Sequence, residues 1–204
     1  MPNDRSVLPP PDLEGAGGGV DAKRSFVSRA GFKLEAAMRS FPISVSGKIC
    51  AVLGANVGGF TDCLLQHGAA KVFAVDTAYG VIAWTLRKDP RVVVKDRTNA
   101  LHVKLPERPA VVAIDVGWTR QNKILPVVAA LLADAGEVLT LIKPHYESEE
   151  AKVQRGVLTA EQSEMVLQRV LDEIAAAGWT IAGVVRSPIE GQKGNSEYVA
   201  WLKR

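Results

Sequence analysis

Two lysines and two carboxylates in this sequence stand where solvated surface residues are not expected. Asp115 ends the apolar run Val111-Val112-Ala113-Ile114, and Lys143 ends the run Val138-Leu139-Thr140-Leu141-Ile142 and precedes Pro144. Glu197 opens a further apolar run after Gly194-Asn195, and Lys33 falls on a short helical segment near the start. A lone lysine at the end of such a run is usually a surface residue that buries its stem and keeps its ammonium in water. Two lysines and two carboxylates meeting in one cleft would instead form a paired network, the kind of grouping in which burial and neighbouring charge tune acid–base chemistry.

The elements that must position these residues are legible from periodicity. Ser28 is expected to cap a first helix whose apolar face is Phe32, Ala36 and Ala37 and which ends at Phe41-Pro42. Short apolar strands are expected at Ile49–Leu53, Lys71–Val75, Val92–Val94, Ala110–Ile114, Val138–Ile142, Trp179–Val185 and Tyr198–Leu202. Helical segments fall at Thr61–Gln66, Ile124–Ala133 and Thr159–Ala177. The last has Thr159 and Gln162 in capping-box spacing, Val166, Val170 and Ile174 on one face, and Gly178 to stop it.

Fully apolar strands alternating with helices imply a parallel sheet covered on both faces. No helix separates the last two strands, so the final one is expected to run antiparallel, at or near the edge. The expected fold is α/β and Rossmann-like: a doubly wound, seven-stranded, mostly parallel sheet with an antiparallel last strand. Residues 1–22 contain Pro9-Pro10-Pro11 and Gly17-Gly18-Gly19, the composition of a mobile tail, which leaves residues 23–204 as one domain.

Ligands of doubly wound sheets sit at the carboxyl ends of the strands. The first such end carries Gly54, Ala55, Asn56, Val57, Gly58, Gly59 and Phe60, and glycines let a backbone approach a ligand closely before a helix presents its free N–H groups. Asp76 ends the second strand, where a carboxylate accepts hydrogen bonds from ribose hydroxyls, and Asp96 ends the third, within reach of an adenine edge. The loop lacks the spaced Gly-x-Gly-x-x-Gly of dinucleotide folds, so S-adenosylmethionine (SAM) suits it better than a nicotinamide dinucleotide.

The stretches Ser28-Arg29-Ala30-Gly31-Phe32-Lys33-Leu34, Gly58-Gly59-Phe60-Thr61-Asp62, Asp115-Val116, Ile142-Lys143-Pro144 and Gly194-Asn195-Ser196-Glu197-Tyr198 resemble those of FtsJ-type RNA methyltransferases. The hemolysin-A-like ribosomal RNA 2′-O-methyltransferases are the branch most similar, and the resemblance runs from Ser28 to the C-terminus. It implies a Lys-Asp-Lys-Glu catalytic tetrad at Lys33, Asp115, Lys143 and Glu197, with Asp115 also bordering the SAM site. It further implies that Lys143 accepts the proton of a ribose hydroxyl while Asp115 and Glu197 orient the lysines. The sequence departs from the branch at Val52, where an acidic residue usually helps hold the methionine end of SAM, and at Gly117-Trp118-Thr119 and His145-Tyr146-Glu147, where Ser-Phe-Ile and Gln-Phe-Glu are usual. In place of the branch's small N-terminal RNA-binding domain stands the Pro/Gly tail, so a separate RNA-binding partner is one expectation.

The 25 Lys+Arg against 22 Asp+Glu give a net charge of +3, which permits an RNA partner without demanding one. Lys23, Arg24, Arg29 and Lys193 flank the candidate site and are expected to meet RNA phosphates, with ribosomal RNA or a ribosomal subunit as partner. A homologue that binds RNA or ribosomes without catalysis, or a methyltransferase acting on another substrate, are the competing expectations. Neither a bilayer-spanning apolar run nor a signal peptide is visible, so a cytoplasmic protein without membrane contact is expected. Cys50 and Cys63 lack metal-ligand spacing and read as buried thiols, His67 and His102 as isolated, and no metal is expected. Trp84, Trp118, Trp179 and Trp201 read as core, with base stacking a lesser option for Trp118.

Overall fold

The central strands carry almost no polar side chain on either face because both faces are covered. In the computed structural model, which describes residues 6–11, 25–148 and 156–204, Cys50, Val52, Val72, Ala74, Val111 and Ala113 pack on one side of the sheet. Ala51, Leu53, Phe73, Val75, Val112 and Ile114 pack on the other. This is the period-two alternation of a strand, with apolar residues at both phases.

The elements run β1 (Val7–Leu8), α1 (Ala30–Ser40), β2 (Ile49–Leu53), α2 (Gly59–Gln66), β3 (Lys71–Val75), α3 (Trp84–Arg87) and β4 (Val92–Lys95). Then follow β5 (Val111–Ile114), α4 (Gln121–Leu131), β6 (Glu137–Ile142), α5 (Pro144–Glu147), α6 (Ala160–Ala176), β7 (Thr180–Arg186) and β8 (Tyr198–Lys203). The sheet order is β1-β7-β8-β6-β5-β2-β3-β4. Helices α1 and α2 contribute Leu34, Ala37, Phe60 and Leu64 to one cluster, and α4 and α6 contribute Ile124, Val128, Val170 and Ile174 to the other. Helix α6 starts with the expected capping box, the Thr159 side chain accepting from Gln162 N and the Gln162 side chain from Thr159 N.

The final strand is antiparallel to both its neighbours and lies near one edge of the sheet, between β6 and β7, as expected. Two sequence expectations need correction. An eighth strand appears in the segment read as a tail: Val7 and Leu8 pair in parallel with Val184 and Val185, covering the edge of β7. That edge offers unpaired backbone groups, and two extended residues ahead of a proline run suffice to take them up. Ser28 does not cap α1 with its side chain; Arg29 holds the cap position, and Ser28 contributes its carbonyl to Gly31 N at 3.1 Å. No helix among the described residues is long and apolar enough to cross a membrane.

Helices α1 and α2 approach to backbone contact at Gly59. A Cβ there would lie 2.4 Å from Ser28 Oγ and 2.7 Å from Gly31 N. Gly59→Ala is therefore expected to push α1 off α2 and cost about 1–3 kcal/mol, measured as a lower urea midpoint. An unchanged midpoint would show that the junction yields freely.

Candidate active site

The end of β5 carries Asp115, and the end of the adjacent β6 carries Lys143, with Pro144 opening α5 immediately after. Because β8 runs the other way, its start lies beside the end of β6, Tyr198 opposite Ile142, and this brings Glu197 to the same rim. Helix α1 is held over β7 and β8 by Phe41, whose ring stacks on Trp201 at 5.6 Å and fills the space beside Gly183. Its Lys33 points to that rim. Four residues far apart in sequence are thus gathered by one sheet edge and one helix.

They meet as two ion pairs. Lys33 Nζ pairs with Glu197 Oε2, both buried. Lys143 Nζ lies 2.6 Å from Asp115 Oδ1 and donates to Val116 O at 3.2 Å. His145 links the pairs electrostatically. Burial first, then the charges of Lys143 and Lys33, push its imidazole down to about 4. Its Nδ1 is buried and has no hydrogen-bond partner.

The rim is braced from below. Glu147 Oε1 accepts from Gln121 N at 2.9 Å and so caps the start of α4 in place of an Arg120 side-chain cap. Gln121 Oε1 accepts from Thr140 Oγ1 at 2.8 Å, tying α4 back to β6 beneath Lys143. Burial pushes the Glu147 carboxyl up, against the opposing hydrogen bond from Gln121. On the other side Gly191 makes room for Glu197: a Cβ at 191 would fall 2.1 Å from Glu197 Oε1. Asn195, buried two residues earlier, donates to Gly156 O at 2.7 Å and accepts from Leu158 N at 3.1 Å. Gly191 was not singled out from the sequence, since a glycine in a turn looks like an ordinary loop residue, and Asn195 entered only as part of the Gly194–Tyr198 stretch, with no role of its own.

Beside the tetrad lies a cleft of about 400 Å³ whose lining includes Gly54, Asn56, Asp76 and Asp115. The lower range of small-molecule sites is about 300 Å³, so an adenosine-sized ligand fits. Gly54 has φ +85°, and a Cβ there would meet Asp115 O at 2.4 Å, so the loop must carry glycine to lie against β5. Asp76 accepts from Asn56 N and Ala78 N, each at 2.8 Å, which fixes its carboxylate at the mouth.

The other nominated cofactor residues do not line this cleft. Ala55 and Phe60 are buried in the core, Gly58 packs against Leu86, and Gly59 against α1. Asp96 turns away to pair with Arg87 of α3 at 2.7 Å. Its expected place is taken by Thr98, Asn99 and Ala100, brought there by the bond from Thr98 N to Asp76 O at 2.8 Å. The stretch Arg97-Thr98-Asn99 also resembles that of FtsJ-type RNA methyltransferases, and that was the signal available for them. Val52 is fully buried among apolar residues.

Trp118 is not core. It is 83% exposed, has φ +61°, and its ring lies 4.6 Å from that of Tyr146, which sits under Lys143 Nζ at 5.8 Å. Trp84 is also largely exposed, whereas Trp179 and Trp201 are buried as expected. Of the basic residues nominated for RNA, Arg29 and Lys193 are exposed, and Lys23 and Arg24 lie outside the described residues.

The depressed histidine has a consequence for stability. An unfolded imidazole titrates at about 6.5, so between there and about 4 the unfolded chain binds a proton that the folded protein refuses. Stability must then fall as pH drops through that window, by on the order of 1–3 kcal/mol. Urea unfolding at pH 7 and near pH 4.5 is expected to show a smaller decline in His145→Gln than in the wild type. Equal declines would mean that His145 is not the group responsible.

A family profile described as FtsJ-like methyltransferase matches residues 26–204. The Bacillus subtilis protein YqxC is 39% identical over 183 residues, covering 87% of this chain and 65% of its own length. The Mycobacterium tuberculosis 16S/23S rRNA (cytidine-2′-O)-methyltransferase TlyA is 38% identical over 193 residues, covering 90% of this chain and 70% of its own. A solved Streptococcus thermophilus chain described as a hemolysin superposes with a TM-score of 0.84 at 35% identity, over 93% of this chain and 69% of that one. A Listeria monocytogenes chain described as an S-adenosylmethionine-dependent methyltransferase shares the fold at a TM-score of 0.63, with 15% identity, over 87% of this chain and 99% of that one. The chain thus spans about two thirds of the first of these relatives, and with a family profile matched over residues 26–204 and a Rossmann-like fold it belongs to the FtsJ-like methyltransferase family.

Proposed function

We propose that this chain transfers the methyl group of SAM to a ribose 2′-hydroxyl of RNA, with ribosomal RNA as the substrate class. The observation that carries the reading is the meeting of Lys33, Asp115, Lys143 and Glu197 beside the cleft of Gly54 and Asp76. Asp76 and the backbone from Thr98 to Ala100 would hold the adenosine end, and Asp115 would border the sulfonium. When bound, SAM supplies an electrophilic methyl carbon; the oxygen–carbon bond forms as the sulfur–carbon bond breaks.

A ribose hydroxyl is a weak nucleophile, so in-line placement and removal of its proton are what the protein must provide. Lys143, held by Asp115 and Val116 O, is placed to take that proton in its neutral form, and Asp115 then stabilises the resulting ammonium. Lys33, fixed by Glu197, sets a cation against the charge developing on the oxygen. Trp118 and Tyr146 form an aromatic ledge next to Lys143 on which the base of the target nucleotide can stack. Arg29 and Lys193, with Lys23 and Arg24, supply phosphate contacts, and a separate RNA-binding partner would extend them. A ribosomal RNA substrate would be met in the cytoplasm, which supports that location for the protein.

A second reading, an RNA- or ribosome-binding homologue without catalysis, is favoured by one residue. The position that usually holds the methionine end of SAM is the buried Val52. Calorimetric titration with SAM separates the two, since a catalyst must bind it.

Lys143→Ala and Asp115→Ala are expected to lower transfer of labelled methyl from SAM to ribosomal subunits by about a hundredfold or more, with circular dichroism unchanged. Full transfer by either variant would remove these residues from the chemistry. Mapping the modified nucleotide tests the 2′-oxygen directly. Trp118→Ala is expected to weaken RNA binding by about 1–3 kcal/mol without changing the salt slope. Arg29→Ala should reduce that slope by roughly one. A Trp118 variant with unaltered RNA affinity would leave the ledge without a role.

A further inference from the structure

On the face of α1 away from the tetrad, Glu35 reaches across to α2, and two side chains of α2 converge on one of its oxygens. His67 Nε2 lies 2.6 Å from Glu35 Oε2, and Cys63 Sγ lies 3.8 Å from the same atom. The three ligand-type atoms all fall within 4.8 Å of one another. Glu35 and Cys63 are buried, while His67, at the end of α2, remains partly open to solvent. From the sequence Cys63 reads as a buried thiol without metal-ligand spacing and His67 as isolated; Glu35, which meets both, comes from another helix.

We propose that Glu35, Cys63 and His67 form a zinc-type divalent metal site that clasps α1 to α2. A thiolate, an imidazole and a carboxylate are the donor set that a tetrahedral borderline-soft ion takes, at about 2.0–2.3 Å from each ligand atom. Such an ion holds its ligand atoms about 3.3–3.8 Å apart. Inserting it would part His67 from Glu35 and draw the more distant atoms together, by about an ångström or less in side-chain motion. Arg39 Nε, 2.8 Å from Glu35 Oε1, fixes the carboxylate from its other oxygen and leaves Oε2 toward the site. Outer partners of this kind orient metal ligands. Water through the His67 side would complete four-coordination.

The position gives the ion a structural consequence. Glu35 stands two residues after Lys33 on α1, and Cys63 four residues after Gly59, where the two helices touch. An ion there would fix α1, and with it Lys33, against the helix that follows the glycine loop. The other thiol, Cys50, belongs to β2 and is pushed up to about 12 by burial, so a thiolate signal would belong to Cys63. The proposal is independent of methyl transfer and can fail without touching that reading.

The full chain, stripped with chelator, is titrated with Co²⁺ as spectroscopic probe. Saturation at one equivalent is expected, with a thiolate-to-cobalt charge-transfer band and the visible bands of tetrahedral Co²⁺, all displaced by Zn²⁺. Cys63→Ser should lose the charge-transfer band. His67→Asn, at the partly exposed helix end, should bind about tenfold more weakly or worse, with its own metal-free melting temperature as the reference. Zn²⁺ should raise the melting temperature of the wild type and not of that variant. No saturable thiolate band, an undiminished band in His67→Asn, or equal Zn²⁺ stabilisation of both proteins would overturn the site. If Cys63→Ser fails to fold, the His67→Asn comparison decides.

Discussion

Strand β8 runs against its neighbours, and its first residue, Tyr198, lies opposite the last residue of β6, Ile142. Everything at the rim follows from that register. A residue placed just before β8 must neighbour one placed just after β6, so Glu197 and Lys143 share an edge although 54 positions separate them in the numbering. A shift of one residue would turn every side chain of β8 to the opposite face and exchange Val199 and Trp201 with Ala200 and Leu202 between the two cores. The apolar packing that holds the sheet therefore also fixes where the charged groups stand.

The rim itself is electrostatically demanding. Lys33 and Glu197 are both buried, and pairs of this kind gain little net stability, because desolvation offsets their attraction. Removing one partner is a different matter, since it strands a charge in an apolar setting. The arrangement is thus better understood as a device for placing ammonium groups than as a source of stability, which comes from the two apolar clusters. His145 shows the setting that results: burial first, and then the two cations nearby, hold its ring neutral, and its buried Nδ1 is left without a partner.

The strands and the longest helix were legible because each is a closed local pattern: an apolar run bounded by turn residues, or Thr159 and Gln162 at the head of α6. The positions of Asp115, Lys143 and Glu197 followed from strand ends alone. What escaped notice depends on contacts between distant segments. Val7–Leu8 becomes a strand only because β7 has an open edge. Asp96 looked like a cofactor ligand until Arg87, on a four-residue helix with no periodicity to betray it, claimed its carboxylate. Trp118 looked like core because tryptophan usually is, whereas its left-handed backbone turns the indole outward. Glu35, Cys63 and His67 could not be grouped from spacing, because two helices contribute them.

The pairing of Gly191 with Glu197 constrains how this sequence can change over time. A methyl group at 191 would fall 2.1 Å from the Glu197 carboxylate, so the acid would have to shift and its pairing with Lys33 would be disturbed. A shorter side chain at 197 would vacate that space. The two sites are therefore expected to be non-additive: alanine at 191 costs more beside glutamate than beside a shorter residue, and glutamate is harder to regain once 191 carries a methyl group.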